Sequence, residues 1–343
     1  MSSPSKAANI FCLTLFILMV TISLTLLSSS YSDAQKENKV NGFSEARFFD
    51  FYALPQNSLD MVFVGSSHSY CSFDPENFDA TLGISSFQLG MPLQLPDATF
   101  YTLTKMYETQ NPKVIIMEVY WQLLEVDFEE KQAVQLFASM KDEKLEQSYF
   151  REVYPIANKI TGKFGLFTFR QDYFEYRSKK INDWLERKFS VSNPVKTQDG
   201  TEYYKGKGYV YCDYKMLPGE FSETNQFSGY DAKNFRIHPN QQKYLEKIIA
   251  LCEEKGSQLV FVTAPVACVS LDLIKNYYAA NSEINRFSSN YQIPYFDYNL
   301  PSQRLELTNF HFRDDAHLND AGVKMLNSDF LEKLLALNYF PMQ

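Results

Sequence analysis

The stretch "DMVFVGSSHSY", from Asp60 to Tyr70, places a short apolar run directly before a glycine, two serines and a histidine. A run of this kind is typical of a buried parallel strand. The polar residues would then lie beyond the carboxyl end of the strand, where open α/β sheets form their sites. The stretch is thus either a turn that happens to be polar or a strand that presents a serine as a nucleophile at its carboxyl end.

Four further apolar runs have the length of strands, and amphipathic segments separate them. The strand candidates are "ISSFQLG" (84–90), "KVIIMEVYW" (113–121), "SQLVFVTAP" (257–265) and "IPYFDYN" (293–299). The helix candidates, with apolar residues at helical spacing, are 96–108, 241–256 and a last helix from about 319. Strands that alternate with helices predict an α/β fold with a flavodoxin-like parallel sheet covered on both faces.

Length and composition limit the classes of protein to consider. The chain has 343 residues, 45% of them apolar, which is enough for one large buried core. A net charge of −8 without a long basic run argues against a nucleic-acid partner. Aromatic residues reach 16%, which fits a groove for carbohydrate or acyl chains but is explained more simply by a Tyr- and Phe-rich core. The five cysteines show no CxxC or metal-binding spacing, so we predict no cysteine chemistry.

The N-terminus contains the longest uncharged segment. "AANIFCLTLFILMVTISLTLL", residues 7–27, suits a helix that spans about 30 Å of bilayer. We expect a single-pass anchor with the N-terminus inside and the globular part exported. The alternative is a signal peptide cleaved near the serines of 28–30. The predicted organisation is an anchor over 1–30, a stalk over 31–45 and an α/β domain over 46–343.

The alternation of strands and helices breaks between about 125 and 239. Two charged stretches, 131–152 and 174–188, look helical, and a turn-rich tract, "TQDGTEYYKGKGYVYCDYKMLPGEF", follows them. We interpret this region as an insertion or cap over the active face rather than as an independent domain.

The second decisive stretch is "NFHFRDDAHLNDAGVKML", residues 309–326. Asp314 lies three residues before His317, on a loop ahead of the last helix. A carboxylate at this spacing can accept the Nδ1 proton of the histidine and leave Nε2 free to act as a base. A serine at the end of the first strand would meet this pair at the same edge of a flavodoxin-like sheet, so we predict that a serine, His317 and Asp314 converge there.

The blocks "GSSH", "LGMP", "VYW" and "DAHLN", in this order, resemble the SGNH/GDSL hydrolase superfamily. They are most similar to its membrane-anchored, exported branch, which includes the D protein of lipoteichoic-acid D-alanylation and the alginate-acetylation proteins. The resemblance implies a three-layer α/β/α SGNH fold without a cofactor or a metal. It assigns the nucleophile to Ser67, the base to His317 and the carboxylate to Asp314.

The resemblance also implies an oxyanion hole, formed by the N–H groups of Ser67 and Gly90. The third block of the family usually supplies an asparagine, but here the sequence reads "MEVYW", which leaves Tyr120 near the expected position as the third donor. Trp121 matches a tryptophan that the teichoic-acid branch tends to show. His68 and Trp121 are candidates for contact with substrate.

The function implied is that of an exported serine acyltransferase or esterase acting on O-acyl groups of cell-envelope polysaccharide or teichoic acid. For a transferase, the implied partner is a membrane-bound O-acyltransferase that delivers the acyl group. Two alternatives stay open. One is a non-catalytic SGNH-like protein for glycan binding or assembly, and the other is a general lipase or thioesterase.

Each candidate residue also has a structural interpretation. Ser67 could cap the helix that follows the strand. His311, Asp314 and His317 could bind a metal ion, but a triad explains these residues more simply, so no metal is predicted. The other structural alternatives are a buried role for His317 or His68, a helix-terminal charge at Asp314 or Asp315, a cap at Asn319, a buried acid or plain rim at Glu118, and packing at Trp121.

Overall fold

The computed structural model describes residues 10–23, 42–163, 198–217, 220, 225–303 and 305–340. The chain divides into two compact units. One comprises Met1–Val40 with Lys141–Pro194, and the other Asn41–Met140 with Val195–Gln343. In chain order the described strands are β1 (Met61–Val64), β2 (Ser86–Gln88), β3 (Val114–Glu118), β4 (Gln198–Asp199), β5 (Glu202–Gly206), β6 (Tyr209–Cys212), β7 (Gln258–Thr263) and β8 (Tyr295–Asp297).

The described helices belong to both units. They are α1 (residues 10–23), α2 (Gly42–Tyr52), α3 (Ser67–Tyr70), α4 (Pro75–Leu82), α5 (Pro96–Met106), α6 (Trp121–Leu124), α7 (Glu130–Met140), α8 (Glu143–Glu152), α9 (Ile156–Lys163), α10 (Pro239–Lys255), α11 (Cys268–Leu273), α12 (Tyr277–Asn290) and α13 (Asp320–Ala336). Helices α1, α8 and α9 lie in the first unit, and the others lie in the second.

Only part of the predicted anchor is described. Residues 10–23 of the segment 7–27 are helical, and its remaining residues lie outside the described ranges. None of the helices in those ranges is both long enough and apolar enough to cross a bilayer. The membrane anchor therefore stays a prediction.

The second unit is built on a five-stranded parallel sheet with the order β2-β1-β3-β7-β8. All five strands fall within the predicted runs, so the prediction of an α/β fold with a parallel sheet is confirmed. Counted along the chain, the parallel strands follow the order 2-1-3-4-5, a common order of doubly wound sheets. The carboxyl ends of β1 and β3 are neighbours in this arrangement.

Both faces of the sheet are covered, because alternate residues of each strand point to opposite sides. On one face Phe63 of β1 packs against Phe78 of α4, with ring centroids 4.9 Å apart, and Phe330 of α13 joins the same cluster. On the other face Phe261 of β7 stacks near Phe287 of α12. This double coverage explains why the strands read as continuous apolar runs.

The last helix begins where the sequence predicts. The side chain of Asn319 accepts hydrogen bonds from the N–H groups of Ala321 and Gly322, so the predicted cap is confirmed. The Nδ2 group of Asn319 donates to the carbonyl oxygens of Tyr214 and Phe310. This buried side chain fixes the start of α13 and, with it, the end of the loop that carries Asp314 and His317.

The turn-rich tract of the predicted insertion forms a second, antiparallel sheet of β4, β5 and β6. Its hairpin turn lies on the edge of β2, where the N–H of Gln88 donates to the carbonyl of Lys207 at 2.9 Å. A side chain at Gly208, where φ is +83°, would meet the carbonyl oxygen of Gln88 at 1.9 Å, so only glycine permits this approach.

Two further expectations concern the helices of the insertion. The predicted helical stretch 131–152 forms two helices, α7 and α8, that are interrupted at Lys141, where φ is +54°. The other stretch, 174–188, lies outside the described residues. Helix α2, from Gly42, was not predicted and begins within the segment assigned to the stalk.

Candidate active site

The turn after β1 presents Ser67 at the first position of α3. The cap of α3 is Ser66, whose Oγ accepts the N–H of His68 at 3.2 Å. The alternative in which Ser67 merely caps the helix is therefore wrong, because that role falls to its neighbour. Gly65 before them has φ +132°, a conformation that favours glycine and turns the chain sharply away from the strand.

Three predicted residues meet at this turn. The hydroxyl of Ser67 lies 2.8 Å from Nε2 of His317, and Nδ1 of His317 lies 3.0 Å from both carboxylate oxygens of Asp314. Asp314 also accepts the N–H groups of Ala316 and His317, at 2.8 and 2.7 Å. The imidazole is thus held with Nδ1–H toward Asp314 and with Nε2 as the acceptor of the serine proton.

The carboxylate of Asp314 is stabilised in its ionised form. Burial would raise its pKa, but the charge of a protonated His317 and hydrogen bonds from His317 and from two backbone N–H groups hold the pKa of Asp314 well below its usual range. Asp314 therefore remains an acceptor while His317 gains and loses a proton.

The loop before α13 is braced from two sides. Arg313 donates from Nη1 to Glu202 of β5 at 3.0 Å, and its backbone N–H donates to the carbonyl of His317. On the other side the carboxylate of Asp315 accepts the backbone and side-chain N–H groups of Gln226, at 2.8 and 3.1 Å. Asp315 is thus a bracing residue. No sequence pattern points to Glu202 or Gln226, because each contact joins distant parts of the chain.

His68 packs against the catalytic candidates as a neutral ring. Only 3% of the residue is exposed, and its imidazole lies 4.1 Å from the ring of Tyr120 and 4.7 Å from that of His317. Burial, followed by the charge of His317, holds the pKa of His68 well below its usual value. The structure therefore places the buried ring of His68 against His317, and not in an open substrate groove.

Tyr120 and Trp121, the two aromatic candidates of the third sequence block, do not take the roles that the sequence predicts. The hydroxyl of Tyr120 donates to Oε1 of Gln122 at 2.5 Å, so this donor is already engaged. Trp121 has no exposed surface and packs edge-on against Tyr120 and Tyr277. Contact between Trp121 and substrate is contradicted by this burial, and the third oxyanion donor is not supplied by Tyr120 in this conformation.

Gly90 also differs from expectation. Its N–H donates to Oε1 of Gln88 at 2.7 Å and is not free. A side chain at Gly90 would come within 3.0 Å of the carbonyl oxygen of Gly65 and of Cβ of Ser69, so the glycine is needed for close packing against the serine turn. The N–H of Ser67, by contrast, makes no hydrogen bond within the described residues and is available as a donor.

Glu118 ends β3 directly behind the serine turn. The sequence left open whether Glu118 is a buried acid or part of the rim of the site. It is buried, with 3% of the residue exposed. Its Oε2 atom accepts the N–H and the hydroxyl of Ser66, at 3.2 and 2.7 Å. Burial raises the pKa of Glu118 to about 7, although the hydrogen bonds from Ser66 counteract part of the shift.

The alternative of a metal site formed by His311, Asp314 and His317 can be compared with the positions of these side chains. His311 does not join Asp314, since its Nδ1 accepts the N–H of Thr308 at 2.9 Å. Within the described ranges no group of three or more His, Cys, Asp or Glu side chains is arranged to hold a metal ion. In the structure Asp314 and His317 bind each other.

Comparison with known proteins gives a likeness of fold only. No family model and no curated protein matches the chain. Among solved structures, a GDSL-like lipase from Bacteroides thetaiotaomicron is 9% identical with a TM-score of 0.40, covering 87% of this chain and 100% of its own. A lipase/acylhydrolase from Enterococcus faecalis is 8% identical with a TM-score of 0.35, covering 81% of this chain and 97% of its own. At these TM-scores the likeness carries no information about activity.

Proposed function

We propose that the protein is an exported serine acyltransferase or esterase of the SGNH/GDSL type that acts on O-acyl groups of cell-envelope polysaccharide or teichoic acid. The observation that carries this proposal is the contact of 2.8 Å between Ser67 Oγ and His317 Nε2, with Asp314 on the opposite nitrogen. A hydroxyl, an imidazole and a carboxylate in this order are the parts of an activated nucleophile.

The reaction follows from the protons that this geometry can move. Nε2 of His317 takes the proton of Ser67 as Oγ attacks the carbonyl carbon of an ester. The imidazolium, stabilised by Asp314, then returns this proton to the leaving alkoxide, and an acyl-serine and an alcohol form. Water or a sugar hydroxyl next gives its proton to Nε2 of His317 as it attacks the acyl-serine. His317 returns this proton to the departing Oγ of Ser67, which releases an acid or a new ester and restores the serine.

The backbone N–H of Ser67 is the donor that is free to face the developing oxyanion. One missing donor in such a site costs about 3 kcal/mol of barrier. With Gly90 and Tyr120 engaged elsewhere, we expect slow turnover of simple esters unless substrate binding releases a second donor.

Location and substrate class rest on the sequence. The uncharged segment 7–27 supports a membrane anchor with the globular part outside. No soluble acyl-CoA is expected there, so a transferase needs a membrane-bound O-acyltransferase to pass the acyl group across the bilayer. The resemblance of the four sequence blocks to the exported branch supports an anchored glycan as the acceptor or donor.

A non-catalytic role in glycan binding or assembly is the second candidate. It is favoured by the hydrogen bonds that occupy the N–H of Gly90 and the hydroxyl of Tyr120, which leave the oxyanion hole incomplete. In that case the triad would persist as a packing motif and would not react.

Active-site labelling tests the proposal. The purified protein is treated with a fluorophosphonate probe, and the labelled residue is identified by mass spectrometry. We expect labelling at Ser67 that Ser67→Ala and His317→Ala abolish, whereas Ser328→Ala, an exposed serine of α13, is labelled like the wild type. An unlabelled wild-type protein, together with unchanged envelope acylation in Ser67→Ala cells, would favour the non-catalytic role.

Chain-length preference separates the proposal from a general lipase. The rates of hydrolysis of p-nitrophenyl acetate, butyrate and palmitate are compared for the wild type and for Ser67→Ala. We expect Ser67-dependent turnover that is fastest with the shortest chain. A clear preference for palmitate would argue for a lipase or thioesterase.

A further inference from the structure

The serine turn packs on a carboxyl group that the reaction described above does not use. Glu118 is the last residue of β3, and a Cβ built on Gly65 would lie 2.8 Å from both Cβ and the carbonyl oxygen of Glu118. Glycine at 65 therefore lets the turn lie directly on Glu118. The two residues that follow Gly65 are the capping serine, Ser66, and the nucleophile, Ser67.

The two oxygens of Glu118 have different surroundings. Oε2 accepts both the N–H and the hydroxyl of Ser66. Oε1 is buried and has no hydrogen-bond partner in the part of the chain that the structure describes. Among the described residues, Ser66 is the side chain that acts on this carboxyl group and no charged side chain does, so an ionised Glu118 would be a buried charge without a counter-ion there. A protonated Glu118, with its hydrogen on Oε1, would keep both bonds to Ser66.

Ser66 links the position of Glu118 to that of the nucleophile, Ser67, through hydrogen bonds. Its hydroxyl donates to Glu118 while the same oxygen accepts the N–H of His68 and so caps α3. Because Ser67 is the first residue of α3, the position of its side chain and of its N–H depends on this cap. Glu118 thereby holds the segment from which Ser67 reaches His317.

We propose that Glu118 is a positioning residue that holds Ser67 through Ser66 and supports acyl transfer only while its carboxyl group carries a proton. The proposal rests on the proposed function of Ser67. During attack, negative charge develops on the substrate oxygen beside the N–H of Ser67. A neutral Glu118 does not oppose that charge, whereas loss of its proton to solvent base would place a second negative charge behind the same turn.

Among the groups around the serine turn, Glu118 is the one whose burial places its pKa near neutral pH. Burial raises the pKa of Glu118 to about 7. The titratable neighbours are His68 of α3 and Tyr120 ahead of α6. Burial lowers the pKa of His68 well below its usual value, and burial followed by the charge of Glu118 raises the pKa of Tyr120 well above its own. Both rings therefore stay neutral near neutral pH, and Asp314 stays ionised.

The test is the pH dependence of fluorophosphonate labelling at Ser67. For the wild type we expect a profile with a descending limb near neutral pH, which reports ionisation of Glu118. The rate constant should fall by about tenfold above neutrality, the effect of one like charge a few ångströms away. Glu118→Gln keeps an acceptor for Ser66 and cannot ionise, so its profile should lack the descending limb.

Two further variants guard against a merely structural explanation. Ser66→Ala removes a hydrogen bond that favours the ionised carboxyl, so the descending limb should move to higher pH. Asp297→Asn removes another buried carboxyl at the carboxyl edge of the sheet, bonded to Tyr277 and Asn281, and should leave the limb where it is. If Glu118→Gln fails to fold, as judged by circular dichroism, the shift in Ser66→Ala decides the question.

The outcomes are distinct. A descending limb that is absent in the wild type, or that is unchanged in both Glu118→Gln and Ser66→Ala, would overturn the role of Glu118 while the labelling itself upholds the function of Ser67. A wild-type protein whose Ser67 is unlabelled at every pH would overturn the proposed function, and the role of Glu118 would fall with it.

Discussion

Arg313 and Glu202 form an ion pair, with Nη1 of the guanidinium 3.0 Å from Oε1 of the carboxylate. The Arg313 side chain is 3% exposed and that of Glu202 is 37% exposed. The pair joins the loop that carries Asp314 and His317 to β5 of the antiparallel sheet. An element that the sequence presents as an insertion is thus a support of the candidate site.

Removing this support should destabilise the protein. Glu202→Ala leaves a buried guanidinium without its nearest counter-ion, so we expect the free energy of unfolding to fall by about 2–3 kcal/mol in urea titrations. Glu76→Ala, which removes one exposed partner of Lys205, is the matched control and should cost less than about 1 kcal/mol. Equal losses in the two variants would show that the pair with Arg313 is not a support.

The close approach of the hairpin to β2 should make Gly208 indispensable. In Gly208→Ala the new Cβ would overlap the carbonyl oxygen of Gln88, and the hairpin must move away, at a cost of about 3 kcal/mol. Gly229→Ala is the control, because Gly229 has nearly the same φ, +80°, and no atom near the position of the new Cβ. It should cost about 1 kcal/mol, for backbone strain alone.

A difference of less than about 1 kcal/mol between the two variants would contradict the clash. Thermal unfolding of the purified proteins, compared at the same pH and salt, measures it.

The sequence does not predict the ion pair between Arg313 and Glu202 or the close approach of Gly208 to Gln88, whereas it does predict the parallel sheet. The parallel sheet is readable because strands such as β1 and β3 are buried on both faces, which leaves continuous runs of apolar residues. Strand β5 of the hairpin alternates between exposed and half-buried residues and carries glutamate, tyrosine, lysine and glycine, so its sequence resembles a polar turn. Its role depends on contacts with β2 and with Arg313, which are distant in the chain.

The candidate site likewise contains features that the sequence predicts and features that it does not. Asp314 and His317 are readable because their relation is local, three residues apart ahead of a helix. The engagement of Gly90 by Gln88 and of Ser66 by Glu118 depends on where side chains point after folding. No spacing in the sequence encodes these contacts, which is why the oxyanion hole was predicted less well than the triad.

Asp314 should be required for reactivity and dispensable for folding. Asp314→Asn retains the size of the side chain but no longer favours the Nδ1–H form of His317, so labelling of Ser67 should slow by on the order of 10³–10⁴-fold. Asp315→Asn, which alters the adjacent carboxylate, contacts Gln226 and should change the rate by only a few-fold. Comparable losses in both variants would indicate a general disturbance of the loop.

The pH dependence of stability should reveal the buried carboxyl of Glu118. Its pKa rises from 4.5 in the unfolded chain to about 7 in the folded protein. Between these values the unfolded chain loses its proton first, so folding becomes less favourable as pH rises, and the effect is complete above about pH 7. The stability of the wild type relative to Glu118→Gln should therefore fall by about 3 kcal/mol from pH 4 to pH 8.

Denaturant titrations at several pH values give this difference directly. A difference that stays constant over the whole range would mean that the carboxyl group ionises as freely in the folded protein as in the unfolded chain.

Leu93 should be a position where substitution stabilises the protein. It follows Pro92 in a turn closed by a hydrogen bond from the N–H of Gln94 to the carbonyl of Met91, and its φ of +53° is unfavourable for leucine. The residue is 48% exposed, so little apolar burial is lost on substitution. Leu93→Asn should raise the free energy of unfolding by about 0.5–1 kcal/mol. Leu217→Asn, another exposed leucine without a positive φ, should not.

Ser67 and His317 are separated by 250 positions, and the helix that fixes the histidine begins only at Asp320. During synthesis the hydroxyl emerges long before its base, so a growing chain holds an ordinary, unreactive serine for most of its translation. If Ser67 reacts as proposed, it can do so only after the loop that carries His317 has been made and lies against the turn after β1. A polypeptide that is still being made, or that is threaded unfolded through a membrane, would thus be protected from premature acylation by the order of its own residues.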